Sequence, residues 1–216
     1  MCNIKFETYY DENILIDKID SLLMLAKSIL NGEQDLYFKD LYFWSAIDKS
    51  LKLIDSFLFA FERRNITVLA ALTRMQIDCV LRTFATTLVD DSEDFCKIVL
   101  CNEQQINHIK DKTGKKMTDK YLCESLGTFL NLPIYDLYKK VSGFVHFSSI
   151  SFFNSVRSTG DNSITMKISK ENIFDDEVTY KRLSIELANQ FYYFGRILIE
   201  CIVASWIIQK RNDLNN

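Results

Sequence analysis

Two sets of polar side chains stand at helical spacing inside otherwise apolar sequence, and they hold most of the chemistry this chain could perform. Arg74, Asp78 and Arg82 recur every four residues within VLAALTRMQIDCVLRTFA, and Tyr138, Ser142 and His146 do the same within LYKKVSGFVHFS. Residues four apart advance only about 40° around a helix, so each set makes one polar stripe. Two guanidiniums flanking a carboxylate can grip a phosphate or carboxylate bidentately, or can close on themselves as an ion-pair network. The order Asp78 then Arg82 is the favoured one for an intrahelical pair. Burying such charges unpaired would be expensive, so partners are expected for all three.

The second stripe offers a different chemistry. His146 is a candidate general base or acid, and Ser142 and Tyr138 are hydroxyls that could hold a substrate beside the arginines. The architectural alternative is that Ser142 bonds back to the carbonyl four residues earlier and Tyr138 is a core aromatic with its hydroxyl satisfied. A serine–histidine nucleophile is disfavoured, because no strand–turn–helix elbow surrounds Ser142. A third stripe, Asn189, Tyr193, Arg196 and Glu200, runs through the last apolar segment. If the three stripes face one another, they form a single buried polar network, which must be almost fully satisfied.

Long helices must position these residues. The chain has one proline and six glycines in 216 residues, with no repeat or low-complexity stretch. Helices are expected over about 8–30, ending at Asn31-Gly32, and over 35–64 with Phe38, Leu41, Tyr42, Ala46, Leu53 and Phe57 facing inward. A third runs from Asn65, its N-cap, to about Leu88 and carries the first stripe. Asp90-Asp91-Ser92 opens a shorter helix to about Cys101. The lysine-rich stretch from Asn102 to Met117 reads as a loop, either plain solvated surface or a phosphate contact. Pro133 opens the helix of the second stripe, which ends near His146. Alternation in SITMKIS, after turn residues 158–162, predicts a β-hairpin at about 150–169, and a closing helix covers about 176–211. The expected fold is mainly α, a single domain over 1–216: a bundle of long antiparallel helices with one small β-hairpin.

Composition narrows the class. At 48% hydrophobic, 13% aromatic and 25% charged, the chain reads as an ordinary globular protein. Its net charge of −3 gives no whole-chain footprint for nucleic acid, although a local basic patch is compatible with it. The six cysteines lack metal-ligand spacing and read as reduced, mostly buried residues. FYYFGRILIECIVASWII approaches bilayer length, but Arg196 and Glu200 interrupt it, so a core or interface helix is expected instead of a membrane span. No cofactor or metal is expected, and no secretory leader is read at the N-terminus, which points to the cytoplasm.

The paired helices DLYFWSAIDKSLKLIDSFLFAFERRN, the helix AALTRMQIDCVLR and the helix end YKKVSGFVHFS resemble the uncharacterised bacterial helical family DUF5677, over roughly Leu36 to Ser148. Such proteins commonly carry Glu where this chain has Asp78. A wider resemblance is to HEPN-type helical domains, frequent in phage defence and toxin–antitoxin modules. Active members cleave RNA without metal, using an Arg followed by four to six residues and a His. Here Lys139 stands at that spacing from His146, without the planar fork of arginine.

The leading expectation is a cytosolic α-helical binding or regulatory module, homodimeric, recognising an anionic group or a protein partner through Arg74 and Arg82. The resemblance adds a setting in phage defence or a toxin–antitoxin pair. The alternative is a metal-independent ribonuclease in which His146 is the acid or base, Ser142 and Tyr138 hold RNA, and the arginines stabilise phosphate charge.

Overall fold

The structure, a computed structural model, describes residues 7–29, 37–146, 156–158, 164–166 and 177–203. It is mainly α-helical: α1 (Glu12–Ile29), α2 (Phe38–Glu62), α3 (Ile66–Ala85), α4 (Ser92–Cys101), α5 (Asp119–Leu130), α6 (Ile134–Val145) and α7 (Glu177–Arg196), which passes into a π-helical stretch, Ile197–Val203. Helix α3 is central and packs against α2, α5, α6 and α7, while α1 lies on α2 and α7 and α4 lies on α2. Its position explains its sequence. A helix covered on several sides needs apolar residues around most of its circumference, and Ile66, Leu69, Ala70, Ile77, Val80, Leu81 and Ala85 are all at most 1% exposed.

Local chemistry sets the helix starts. Asn65 caps α3 by accepting from the Val68 N–H at 3.1 Å, as expected. Asp91 accepts from the Glu93 and Asp94 N–H groups at the start of α4. Helix α2 begins three residues later than its sequence suggests, because Asp40 accepts from the Tyr37 N–H at 2.7 Å. Its next two N–H groups, on Phe38 and Lys39, donate to the Glu93 carboxylate of α4 at 2.6 and 3.0 Å. One acidic side chain therefore caps a helix more than fifty residues away and ties α4 to α2.

Several expectations need adjustment. On α2, Leu41 is 43% exposed, and Phe43, Ile47 and Ile54 fill the core beside Tyr42, Leu53 and Phe57. On α1, Leu15, Ile19 and Leu22 are buried while Ile14 faces out. Helix α5 went unassigned from sequence, although Thr118 caps it by accepting from the Tyr121 N–H. Its junction with α6 demands a glycine, since a Cβ on Gly127 would stand 2.6 Å from the Leu132 carbonyl oxygen. The expected closing helix turns π-helical at Ile197, and its portion from 204 to 211 lies outside the described residues. Of the expected 150–169 hairpin only two three-residue segments are described, Val156–Ser158 (β1) and Ile164–Met166 (β2), paired antiparallel with Arg157 opposite Thr165. Ser158 belongs to the first of these, where the sequence suggested a turn. Among the described residues no helix is long and apolar enough to cross a membrane.

The lysine-rich stretch is more ordered than its composition suggests. It contains a 3-10 turn, Ile106–His108, and an antiparallel bridge between Lys110 and Lys116. Asp111 sits at its centre, buried, accepting from the Thr113 N–H and hydroxyl, the Lys115 N–H and the Tyr121 hydroxyl at 2.5–3.0 Å. Burial acts to raise its pKa, but these donors outweigh burial and hold it at about 2. A depressed carboxylate stabilises above its unfolded pKa, about 4, and loses that contribution as pH falls through the folded value. The protection factors of the Thr113 and Lys115 amides are therefore expected to hold down to about pH 4 and to fall between there and pH 2. Unchanged protection at pH 2 would show that the loop does not depend on the ionised carboxylate.

Candidate functional site

Helices α3 and α6 pack so that the first two stripes face each other, and Arg74 is the hub. Its Nε donates to the Ser142 hydroxyl at 2.9 Å, and one terminal nitrogen donates to the Tyr138 hydroxyl. The other terminal nitrogen pairs with Asp78, and the guanidinium lies 3.6 Å from the Tyr138 ring centroid. Stacking on an aromatic face while filling its donor fork is a geometry that arginine supports and lysine does not. Ser142 in turn donates to the Tyr138 carbonyl at 2.7 Å, the back-bond expected of a mid-helix serine.

The pairing differs from the intrahelical order favoured by sequence. Asp78 pairs with Arg74, and Arg82 pairs with Asp119, the first residue of α5. Asp119 also accepts from the Tyr138 hydroxyl at 2.6 Å and lies 3.8 Å from Arg74. It is the functional residue that sequence reasoning missed, and it closes the circuit between both stripes. The available signal was Thr118-Asp119 ahead of the apolar run in YLCESLGTFL, an N-cap with an acidic first turn.

Electrostatics follow from this arrangement. Burial raises the Asp78 pKa, and the neighbouring Arg74 and Arg82 pull against it without prevailing. Burial also acts on Asp119, but there the Tyr138 hydroxyl and Arg82 prevail and its pKa falls below the ordinary carboxylate value. Tyr138 is raised by burial and by its bond to Asp119, so it stays a neutral donor at physiological pH. Two guanidiniums and two carboxylates balance. Burial likewise lifts the adjacent Cys123 thiol to about 12, which leaves it protonated and inert.

The third stripe does not join this circuit. Asn189 is buried and clasps the backbone of Tyr9, accepting from its N–H and donating to its carbonyl, both at 2.8 Å. Arg196 pairs bidentately with Glu200 at 2.9 Å and lies 3.9 Å from Glu7. Tyr193 is buried beside Phe194. The stripe thus holds the N-terminal segment against α7 instead of completing a central network. The physical reason is spatial: α3 turns its Arg74 face to α6, and its contact with α7 uses other residues, with Gln76 3.6 Å from where a Cβ on Gly195 would stand.

His146 terminates α6 as its C-cap and is exposed, its N–H donating to the Ser142 carbonyl at 3.2 Å. Ser142 and Tyr138 are bound to Arg74, Asp119 and each other, so a substrate-holding role would require breaking those bonds. Arg82 differs from Arg74. Its side chain is 32% exposed, it lines a cleft of about 570 Å³ with Tyr42, Gln104, Gln105 and Asn107, and its buried Nη1 has no hydrogen-bond partner among the described residues. Glu103, with φ of 51°, also lines it. Among the described residues no group of three or more His, Cys, Asp or Glu is placed to hold a metal ion. Cys79, Cys96 and Cys123 are buried free thiols and Cys101 is an exposed one.

No family model, curated protein or solved structure matches the chain.

Proposed function

We propose that this chain is an α-helical binding module that recognises an anionic group, with Arg82 as the cation that meets it. One observation carries this reading: Arg74 is 17% exposed and turned to Ser142, Tyr138 and Asp78, whereas Arg82 is 32% exposed and lines a cleft. A guanidinium held by Asp119 has already lost part of its conformational freedom, which lowers the cost of meeting an acceptor in the cleft. The amides of Gln104, Gln105 and Asn107 add donors and acceptors around it, and Glu103 favours a ligand that offers hydrogen-bond donors as well as negative charge. The Arg74 circuit supports this site from behind by fixing Asp119.

The wider setting rests on resemblance. Likeness to HEPN-type sequences supports a role in phage defence or a toxin–antitoxin pair. Exposed Tyr37, Leu41 and Trp44, on one face at the start of α2, support a homodimer or a protein partner.

The test is a thermal-shift series with phosphate, citrate and adenosine monophosphate, wild type beside Arg82→Gln. At least one of these anions is expected to raise the wild-type midpoint, with apparent affinity falling about tenfold or more in the variant. A shift that survives Arg82→Gln intact, or no shift with any of the three, would discard the cleft as the anion site.

A further inference from the structure

The seven residues from Lys110 to Lys116 carry four lysines against one aspartate, in a chain whose net charge is −3. Lys110, Lys112, Lys115 and Lys116 are all exposed, and among the described residues no carboxylate forms a salt bridge with any of them. The fold brings them together at a cost. Lys110 and Lys116 are partners in an antiparallel bridge, so their side chains leave the same face from Cα atoms about 5 Å apart, and like charges directly opposite are destabilising. Lys112 and Lys115 flank the turn at Thr113-Gly114, where Gly114 takes a φ of 84° that suits glycine.

The turn holds this arrangement rigidly. The Asp111 carboxylate collects its donors from inside the loop and from Tyr121 of α5, the Lys112 N–H donates to the Leu88 carbonyl at 3.0 Å, and the Met117 N–H donates to the Ile109 carbonyl at 3.0 Å. Solvated lysines on a mobile loop would spread apart. Here the backbone keeps four positive charges on a short, anchored hairpin, which lowers the ordering cost of meeting several negative charges at once.

We propose that this lysine hairpin is a docking surface for the phosphate backbone of a nucleic-acid strand. Lys115 lies over the Tyr121 ring, and none of the four lysines has a carboxylate partner among the described residues. A regular array of phosphates is the partner that answers several cations carried on an anchored backbone, and neutralising them releases condensed counterions. The surroundings favour a strand over a membrane. Met117 is fully buried and Ile109 half-buried, so the hairpin offers no apolar anchor to a bilayer. The exposed amides of Gln104, Gln105 and Asn107 immediately precede it in the chain, and such groups hydrogen-bond to base edges. This surface stands independently of the Arg82 cleft, since the lysines carry it whether or not that cleft takes an anion.

The experiment is fluorescence anisotropy with a labelled single-stranded RNA of about 20 nucleotides between roughly 50 and 200 mM salt. Vesicles of phosphatidylserine and phosphatidylcholine are sedimented in parallel. Wild type is expected to bind the RNA with a steep salt dependence and to leave the vesicles in solution. Lys112→Glu/Lys115→Glu is expected to lose about tenfold or more in affinity, with a shallower salt slope. Lys112→Gln/Lys115→Gln, which removes charge without adding any, is expected to lose about threefold and guards against a folding defect. Lys49→Glu/Lys52→Glu changes the net charge equally at a distant exposed site on α2 and is expected to bind within about twofold of wild type. No RNA binding at the lowest salt, equal losses in the α2 and hairpin variants, or binding to vesicles in preference to RNA would each overturn the proposal.

Discussion

Replacing Arg74 with alanine is expected to destabilise the protein by about 2–4 kcal/mol, measured by urea unfolding at pH 7. Three losses combine. Asp78 loses its close ion-pair partner, the Ser142 and Tyr138 hydroxyls lose a charged donor, and the Tyr138 ring loses the guanidinium stacked on it. Removing one member of a fully buried pair costs about 3–5 kcal/mol, and the estimate is reduced because Arg74 and Asp78 side chains retain 17% and 27% exposure. The pH dependence has a definite sign. Burial already raises the Asp78 pKa, and without Arg74 the carboxyl should rise further. Its ionised form then opposes folding at pH 7, and protonation as pH falls relieves that opposition, so the gap between variant and wild type should narrow toward pH 5. Adding Asp78→Asn to the variant should recover part of the loss at pH 7. A single variant as stable as wild type would mean that the circuit contributes nothing to the fold.

The visibility of that circuit in the sequence was uneven, for physical reasons. Arg74, Tyr138 and Ser142 announced themselves because polar residues at helical spacing within apolar runs must find partners, and each of them does. Asp119 gave no comparable signal. It lies at the start of a helix, behind a polar loop, where an acidic residue is explained by the helix dipole alone. Its partners are 19 and 37 positions away, and no local period encodes such a pairing. The third stripe shows the converse failure. Periodicity places Asn189, Tyr193 and Arg196 on one face but does not say which element covers it, and the segment at Tyr9 was the answer. Arg196–Glu200 was legible because its four-residue spacing suffices to define the pair. The lysine stretch reads as a loop from its polarity, yet a single buried carboxylate organises it, and no count of lysines contains that information.

Phe191→Ala is expected to have the largest effect of any single substitution considered, a loss of about 3–5 kcal/mol in urea unfolding. Phe191 of α7 stacks on Phe57 of α2 with centroids 4.1 Å apart and planes 22° from parallel, and both rings are fully buried. Because α3 lies between these helices in sequence and packs against both, the stack ties together the two ends of the chain's largest packing unit. Truncation removes the transfer energy of the ring, leaves a cavity that the surrounding core fills only in part, and forfeits an aromatic pair worth about 0.5–1.5 kcal/mol. Against a total of roughly 5–15 kcal/mol, this loss brings the protein close to the limit of folding. Phe191→Leu keeps most of the volume, should lose under about 2 kcal/mol, and gives a folded reference from which the alanine value can be bracketed. The same residue opens the apolar segment whose length resembles a membrane span. A segment that served a bilayer would tolerate leucine or alanine at its first position with little change. A segment buried at the centre of a helical core will not, and an alanine variant that loses less than about 1 kcal/mol would argue that α7 is not that centre.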